Sequence, residues 1–283
     1  MNFTHRLCAL ATACASIPAA AADWSDTSLG VRHGTAFREP YIADEIGKTI
    51  VDLKHASGYR FGTNFFNIDL LMSDRHDPAS PGSTTGAQEA YVVYRHFLDA
   101  GKVLGTDFKA GPVRGWGLTA GFDWNTKNDA GYNSRKRMWV LGPTVSFDVP
   151  GFLDVGVHEL WESNAPSNEY TGTSVPRYHY DAHPMLTSAW SVPLGALPFV
   201  FEGYANFIAS KGRDEFGAQT APETHVDAQL MWQAGALVGA KPGTWRLGVE
   251  YEYWKNKFGN GWHGPAGRGA FAQTPMVRAE VHF

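Results

Sequence analysis

The chain has 283 residues and a formal net charge of −4, with 43% hydrophobic, 13% aromatic and 18% charged residues. This composition excludes a disordered chain, and nucleic-acid binding is not indicated because no basic run or patch stands out. The 10 Trp and 31 Gly suit a protein with many strands, tight turns and aromatic girdles at a membrane interface, although a soluble all-β protein could share them.

The first 22 residues have the pattern of a secretory signal. A short basic start is followed by an apolar stretch over 7–17 and then by four alanines before Asp23, which resemble an A-x-A cleavage site. We therefore expect a signal peptide at 1–22 and a mature chain at 23–283. Both cysteines, Cys8 and Cys14, fall inside the signal, so we expect no disulfide or thiol chemistry in the mature chain.

Beyond residue 23, apolar and polar residues alternate in segments of roughly ten residues, which predicts about twelve strands. The predicted strands are 28–38, 48–55, 59–72, 88–97, 116–125, 138–149, 152–162, 178–192, 199–210, 225–238, 245–255 and 274–283. The fifth is very regular and has Trp116 and Trp124 at its ends, as residues at two membrane interfaces would be. A change of phase at Phe65-Phe66 predicts a bulge in the third strand, and Pro184 predicts a bulge or late pairing in the eighth.

The connections alternate in length, which is a second signal. Long polar connections, expected to be external, are predicted at 39–47, 73–87, 126–135, 163–177, 211–222 and 256–272. Those between them are mostly tight, as at 55–58, 150–151, 193–197 and 239–243, and 99–112 is the long exception. This alternation is typical of outer-membrane barrels. The prediction is an all-β fold, a transmembrane antiparallel up-and-down β-barrel of about 12 strands in the bacterial outer membrane, in preference to a soluble β-sandwich or small-ligand barrel.

If the apolar face of each strand meets lipid, the other face lines the lumen and mixes acids with bases, the acids being more numerous. Flat rings beside hydrogen-bonding groups suit a stacked base or a sugar. The alternative is that the rings only fill space and that the charges pair to rigidify the wall. The candidate solute-binding residues are Tyr91, Glu89, Glu202, Tyr204, Asn206, Asp227, Glu250, Glu252, Trp254 and Arg278.

Several stretches carry a resemblance that runs over nearly the whole mature chain. They are 86–91 (GAQEAY), 111–116 (GPVRGW), 202–207 (EGYANF), 251–254 (YEYW) and the terminal 281–283 (VHF). In pattern more than in identity, they resemble the nucleoside-specific outer-membrane channels (Tsx-like). The resemblance implies a monomeric 12-stranded barrel with a narrow, polar lumen that passes nucleosides. The expected partners are therefore nucleosides or similar small polar solutes, membrane lipid, lipopolysaccharide and, through the C-terminal strand ending at Phe283, the barrel-assembly machinery.

Other chemistry is disfavoured. A lipid hydrolase would need a Ser–His pair on the lipid-facing wall, whereas His158 falls on the lumen face and Ser163 begins an external loop. His179, Asp181 and His183 alternate along one strand, which is poor geometry for a tetrahedral metal site. We predict no enzyme activity, no catalytic residues, no metal and no cofactor. A general porin or surface receptor without solute preference is the alternative to a nucleoside channel.

Overall fold

The fold is known from a computed structural model, which describes residues 22–283. The predicted signal peptide lies outside the described residues except for its last position. Among the described residues, no helix is long and apolar enough to cross a membrane.

Twelve long strands form a single antiparallel sheet that closes on itself. They are β1 (Trp24–Phe37), β2 (Ile46–Tyr59), β3 (Gly62–Ser73), β4 (Gln88–Asp99), β5 (Val113–Lys127), β6 (Arg137–Phe147), β7 (Phe152–Asn164), β8 (His183–Pro193), β9 (Phe199–Ile208), β10 (Glu223–Gln233), β11 (Trp245–Lys255) and β12 (Phe271–His282). Each strand pairs with the next, and β12 pairs with β1 through Leu29↔Val281 and its neighbours. The fold prediction is confirmed: the chain is an up-and-down barrel, which leaves no open sheet edge.

The connections alternate as predicted. The long ones occupy residues 38–45, 74–87, 128–136, 165–182, 209–222 and 256–270, and we number them external loops 1 to 6. At the other end, the connection after β4 begins with a short helix, α1 (Ala100–Leu104), which Asp99 caps by accepting a hydrogen bond from the backbone N–H of Lys102. The predicted turn at 55–58 is wrong in position, because β2 continues to Tyr59 and pairs with β3 up to Gly62.

Side chains alternate between an apolar outer face and a polar inner face. On β5, Trp116, Leu118 and Trp124 point outward and are each more than 40% exposed, whereas Thr119 and Asp123 point inward and are buried. Trp116 and Trp124 stand near opposite ends of the strand, in the positions predicted for two interfacial girdles. The inner face also contains two small apolar clusters near the external end, one around Ile46 and Met276 and one around Leu160 and Met185.

Two local predictions need correction. β3 has no bulge at Phe65-Phe66, because its register with β2 and β4 is continuous, and Phe65 lies on the inner face although it is apolar. The eighth strand begins at His183 and not at Tyr178. Tyr178–His179 forms a separate short strand that pairs with the end of β7, and β8 pairs with β9 only from Met185, so Pro184 marks late pairing.

Candidate solute pathway in the barrel lumen

The inner wall carries more acids than bases. Its acidic side chains are Asp52, Asp69, Glu89, Asp123, Asp154, Glu162, Glu202, Glu223, Asp227, Glu250, Glu252 and Glu280. Its basic side chains are Arg32, Lys48, Lys54, Arg95, Lys127, Arg246 and Arg278. An apolar outer belt around a charged interior is the arrangement that a membrane barrel requires, because its outer face meets hydrocarbon and its inner face meets water. The protein is a bacterial outer-membrane β-barrel.

A cluster of ion pairs covers one side of the inner wall. Arg278 on β12 contacts Asp52 at 2.5 Å, Glu250 at 2.7 Å and Glu280 at 2.7 Å. Arg32 on β1 reaches Asp69 at 2.8 Å and Glu250 at 3.3 Å, which joins β3 to β11 across the three strands between them. Because Arg278 is only 3% exposed, its guanidinium is occupied by the wall itself and stiffens it.

An aromatic group lies in the external half of β9, β10 and β11. The rings of His225 and Trp254 stack at 3.9 Å with an interplanar angle of 6°. Tyr204 Oη is 3.2 Å from His225 Nε2, and Glu252 is 3.5 Å from the same nitrogen. Asn206 pairs directly with His225 in the strand register. The group combines flat rings, a carboxylate and an amide on one patch of the lumen wall, which suits a planar polar solute.

The contacts of Trp254 decide how such a solute could be held. Its Nε1 donates to Glu223 Oε1 at 2.8 Å, and Lys257 Nζ lies 4.5 Å from the ring centroid. With His225 stacked on it as well, the indole is fixed by the protein and is not an open stacking platform. Its observed contacts are therefore those of a residue that holds His225 in place.

All ten sequence-predicted site residues lie on the inner face, but the structure divides them into three sets. The aromatic group includes Tyr204, Asn206, Glu252 and Trp254. Glu250, Arg278 and Asp227 are buried in or beside the ion-pair cluster. The other three lie elsewhere on the wall: Glu202 Oε2 is 3.3 Å from Arg246, Glu89 accepts from Asn125 at 2.7 Å, and Tyr91 donates to Asp123 at 3.1 Å. Their roles as solute contacts stay predictions.

The sequence interpretation did not single out His225 as a site residue. His225 lies on β10 two residues before Asp227, so alternation places both side chains on the inner face. That spacing is the sequence feature that could have identified His225 as a lumen residue. What could not be read from the sequence was the register between β10 and β11, which brings His225 opposite Trp254.

The external end of the barrel is tied together by buried charges that come from several loops. Glu39 in external loop 1 contacts Lys48 at 2.5 Å, Lys257 at 3.4 Å and Lys127 at 4.0 Å. Asp77 in external loop 2 contacts Lys127 at 3.0 Å. Asp129 in external loop 3 contacts the same lysine at 3.1 Å. We call these six residues the Glu39 network. It connects loops 1, 2, 3 and 6 over the mouth of the lumen.

The three acids of the Glu39 network have different proton affinities. Burial and a hydrogen bond with Asp129 raise the pKa of Asp77 to about 7. Burial opposes ionisation of Asp129 too, but that hydrogen bond and Lys127 outweigh it and lower its pKa to about 2. Burial is likewise outweighed at Glu39, where Lys127, Lys257 and Lys48 hold the pKa well below its usual range. Asp77 is therefore the member of the network that titrates near neutral pH.

A second group of loop contacts adjoins the first in external loop 3, where the backbone N–H of Tyr132 donates to Asp129 at 2.8 Å. The hydroxyls of Tyr132 and Tyr180 both donate to the carboxylate of Glu215 in external loop 5. Burial and this carboxylate raise the pKa of Tyr132 well above its usual value. Lys211 donates to Glu162 at 2.8 Å, which ties loop 5 to the end of β7.

The residues considered for other chemistry do not come together. His158 lies on the inner face, and its Nε2 is 3.0 Å from Thr144 Oγ1. Ser163 Oγ accepts instead from Arg177 at 3.0 Å. His179 belongs to the short strand against β7, while Nδ1 of His183 is bound to the backbone oxygen of Asp181 at 2.8 Å.

No family model matches the chain, and no curated protein matches it. Among solved structures, the translocator domain of the autotransporter NalP from Neisseria meningitidis is 14% identical with a TM-score of 0.46, covering 99% of this chain and 95% of that one. The KdgM porin is 10% identical with a TM-score of 0.40 (90% and 99% covered), and a mutant of the TodX monoaromatic hydrocarbon channel is 8% identical with a TM-score of 0.36 (93% and 90%). Because these identities and TM-scores are low, the fold assignment depends on the strand pairing within this chain and not on the likeness to these structures.

Proposed function

We propose that this protein is a passive outer-membrane channel for small polar solutes and that nucleosides are its favoured cargo. The observation that carries the proposal is the charged and polar inner face, because its hydrogen-bonding side chains can replace part of the water around a polar solute in the lumen. No bond is made or broken, and no cofactor takes part. The excess of acids over bases on the wall favours neutral and cationic solutes over anions.

The nucleoside part of the proposal depends on the resemblance noted in the sequence and on the aromatic group. Tyr204, His225 and Asn206 present a ring edge, an imidazole and an amide on one patch, and Glu252 adds an acceptor. A nucleoside offers a flat base and sugar hydroxyls that match these groups. Weak contacts of this kind let a solute enter the site and leave it again, as conduction requires.

The same proposal covers the surroundings of the barrel. We propose that it functions as a monomer surrounded by phospholipid and lipopolysaccharide. The barrel-assembly machinery would recognise the C-terminal strand β12 together with Phe283, which follows it and is bound to Thr27 through the backbone. Export through a cleaved signal peptide at 1–22 belongs to the same proposal.

The test is the block of single-channel current by adenosine in planar bilayers. Wild-type barrel should show saturable block, and Trp254→Ala should weaken it several-fold while ion conductance stays nearly unchanged, since loss of the indole frees His225. Trp124→Ala, which removes an outward-facing indole, is the matched control and should behave as wild type. Conductance without any block in the wild type would indicate a general pore and would refute the nucleoside assignment.

A further inference from the structure

The outer wall contains a polar cluster that the channel function does not use. Tyr59, Asn64, Tyr94 and His96 are neighbours on β2, β3 and β4 and point away from the lumen, since Arg95, between Tyr94 and His96, points inward to Asp123. Tyr94 also packs its ring on the outward Phe122 at 5.6 Å. Polar side chains on the lipid-facing wall are costly unless they have partners.

The hydrogen bonds of the cluster form one chain. Tyr59 Oη is 3.1 Å from His96 Nε2, His96 Nδ1 is 2.9 Å from Asn64 Oδ1, and Tyr94 Oη donates to the same oxygen at 2.8 Å. With Asn64 Oδ1 as the acceptor, Nδ1 of His96 carries the proton and Nε2 accepts from Tyr59. None of the hydrogen bonds among residues 22–283 uses the amide nitrogen of Asn64. The two amide N–H groups of Asn64, a residue of the outer wall, are thus without a protein partner among the described residues.

The cluster lies at the periplasmic border of the apolar belt. Tyr59 is the last residue of β2 and Asn64 is the third of β3. At about 3.3 Å per residue, Asn64 lies within about 7 Å of the strand end. An apolar belt about 25 Å tall would end near Asn64, at the depth of the phosphate and ester groups of the periplasmic leaflet. Arg60 follows in the turn and is exposed, with its guanidinium 4.8 Å from the Phe61 ring centroid.

We propose that this cluster is a binding site for one phospholipid of the periplasmic leaflet. The amide N–H groups of Asn64 would donate to an ester or phosphate oxygen, and Arg60 would neutralise the phosphate. An ordinary aromatic girdle explains the two tyrosines, because Tyr is enriched at interfaces. It does not explain a histidine and an asparagine that are held in fixed orientation on the same wall.

The experiment measures lipid retention by native mass spectrometry. The folded barrel in detergent is mixed with dioleoyl phosphatidylglycerol or with dioleoylglycerol, which lacks the phosphate, and is then released from the detergent in the spectrometer. The wild type should retain one phosphatidylglycerol and much less dioleoylglycerol. Asn64→Leu and His96→Phe should each lower phosphatidylglycerol retention about five-fold, which is the loss expected for about 1 kcal/mol of hydrogen bonding.

The control is His33→Phe, which changes another outward histidine, one that contacts Thr49 at 3.0 Å in the external half of β1. It should retain phosphatidylglycerol as the wild type does. Folding of each variant is checked by its heat-modifiable gel migration, and Tyr59→Phe, which removes only a hydroxyl, replaces any variant that does not fold. Equal retention in wild type and cluster variants, or equal retention of the two lipids, would overturn the proposal.

Discussion

Removing the carboxylate of Glu39 should loosen the external mouth of the barrel. In Glu39→Gln the side chain keeps its size but loses the charge that Lys48, Lys127 and Lys257 share. Three ammonium groups would then face only Asp77 and Asp129 in the same buried network. Because a lysine cannot be left unpaired in this position without cost, loops 1 and 6 should separate from β2 and β5.

The magnitude follows from burial and distance. Glu39 is 8% exposed, and its contact with Lys257 is 3.4 Å long. One such pair at an effective dielectric constant of 20 is worth roughly 5 kcal/mol before desolvation. Breaking a buried pair by removing one partner costs about 3–5 kcal/mol. We therefore expect Glu39→Gln to lower the free energy of unfolding by about 3 kcal/mol.

The assay is urea unfolding of the barrel in phospholipid vesicles, followed by tryptophan fluorescence, together with trypsin cleavage of the external loops. Glu45→Gln is the matched control, because it also removes a carboxylate from external loop 1. The Glu45 carboxylate contacts Arg38 at 2.5 Å, but its side chain is 56% exposed. Its effect should stay below about 1 kcal/mol. Equal shifts for the two variants, or unchanged cleavage in Glu39→Gln, would refute the idea that Glu39 holds the mouth together.

Two further predictions concern other charges of the barrel. Arg278→Leu leaves Asp52, Glu250 and Glu280 without their shared partner and should lower the free energy of unfolding by about 3–5 kcal/mol, whereas Arg278→Lys should recover part of the loss in the same urea assay. The raised pKa of Asp77, about 7, means that the folded state binds its proton more tightly than the unfolded state. Its contribution to stability is therefore full below about pH 4 and is lost as the pH rises through 7. Asp77→Asn should flatten the pH dependence of the unfolding midpoint between pH 4 and 7, and an unaltered profile would contradict this.

Much of the fold was predictable because it depends on a local signal. The two-residue alternation on β5 fixed which side chains face outward, and the alternating connection lengths fixed which end carries the long loops. The errors arose where composition and position conflict. Phe65 is apolar but lies on the inner face of β3. The prediction placed every apolar aromatic residue on the lipid-facing side, and it therefore required a bulge that the strand does not have.

The sequence predicted which strand face carries the candidate site, but not which side chains of that face contact one another. The alternation placed Glu252 and Trp254 on the inner wall, but neither the stacking on His225 nor the approach of Lys257 follows from alternation within one strand. The Glu39 network is harder still, because it depends on how loops distant in sequence fold over the mouth. The cluster at His96 does not follow from alternation either, because it depends on the register that brings Asn64 on β3 opposite His96 on β4.

Conduction through the polar interior is tested most directly by single-channel current through the purified, refolded barrel in a planar bilayer under a KCl gradient. We predict small, discrete conductance steps with a reversal potential that shows preference for K⁺ over Cl⁻, because acids outnumber bases on the inner wall. The absence of conductance from a barrel shown to be folded, or a preference for Cl⁻, would contradict this account.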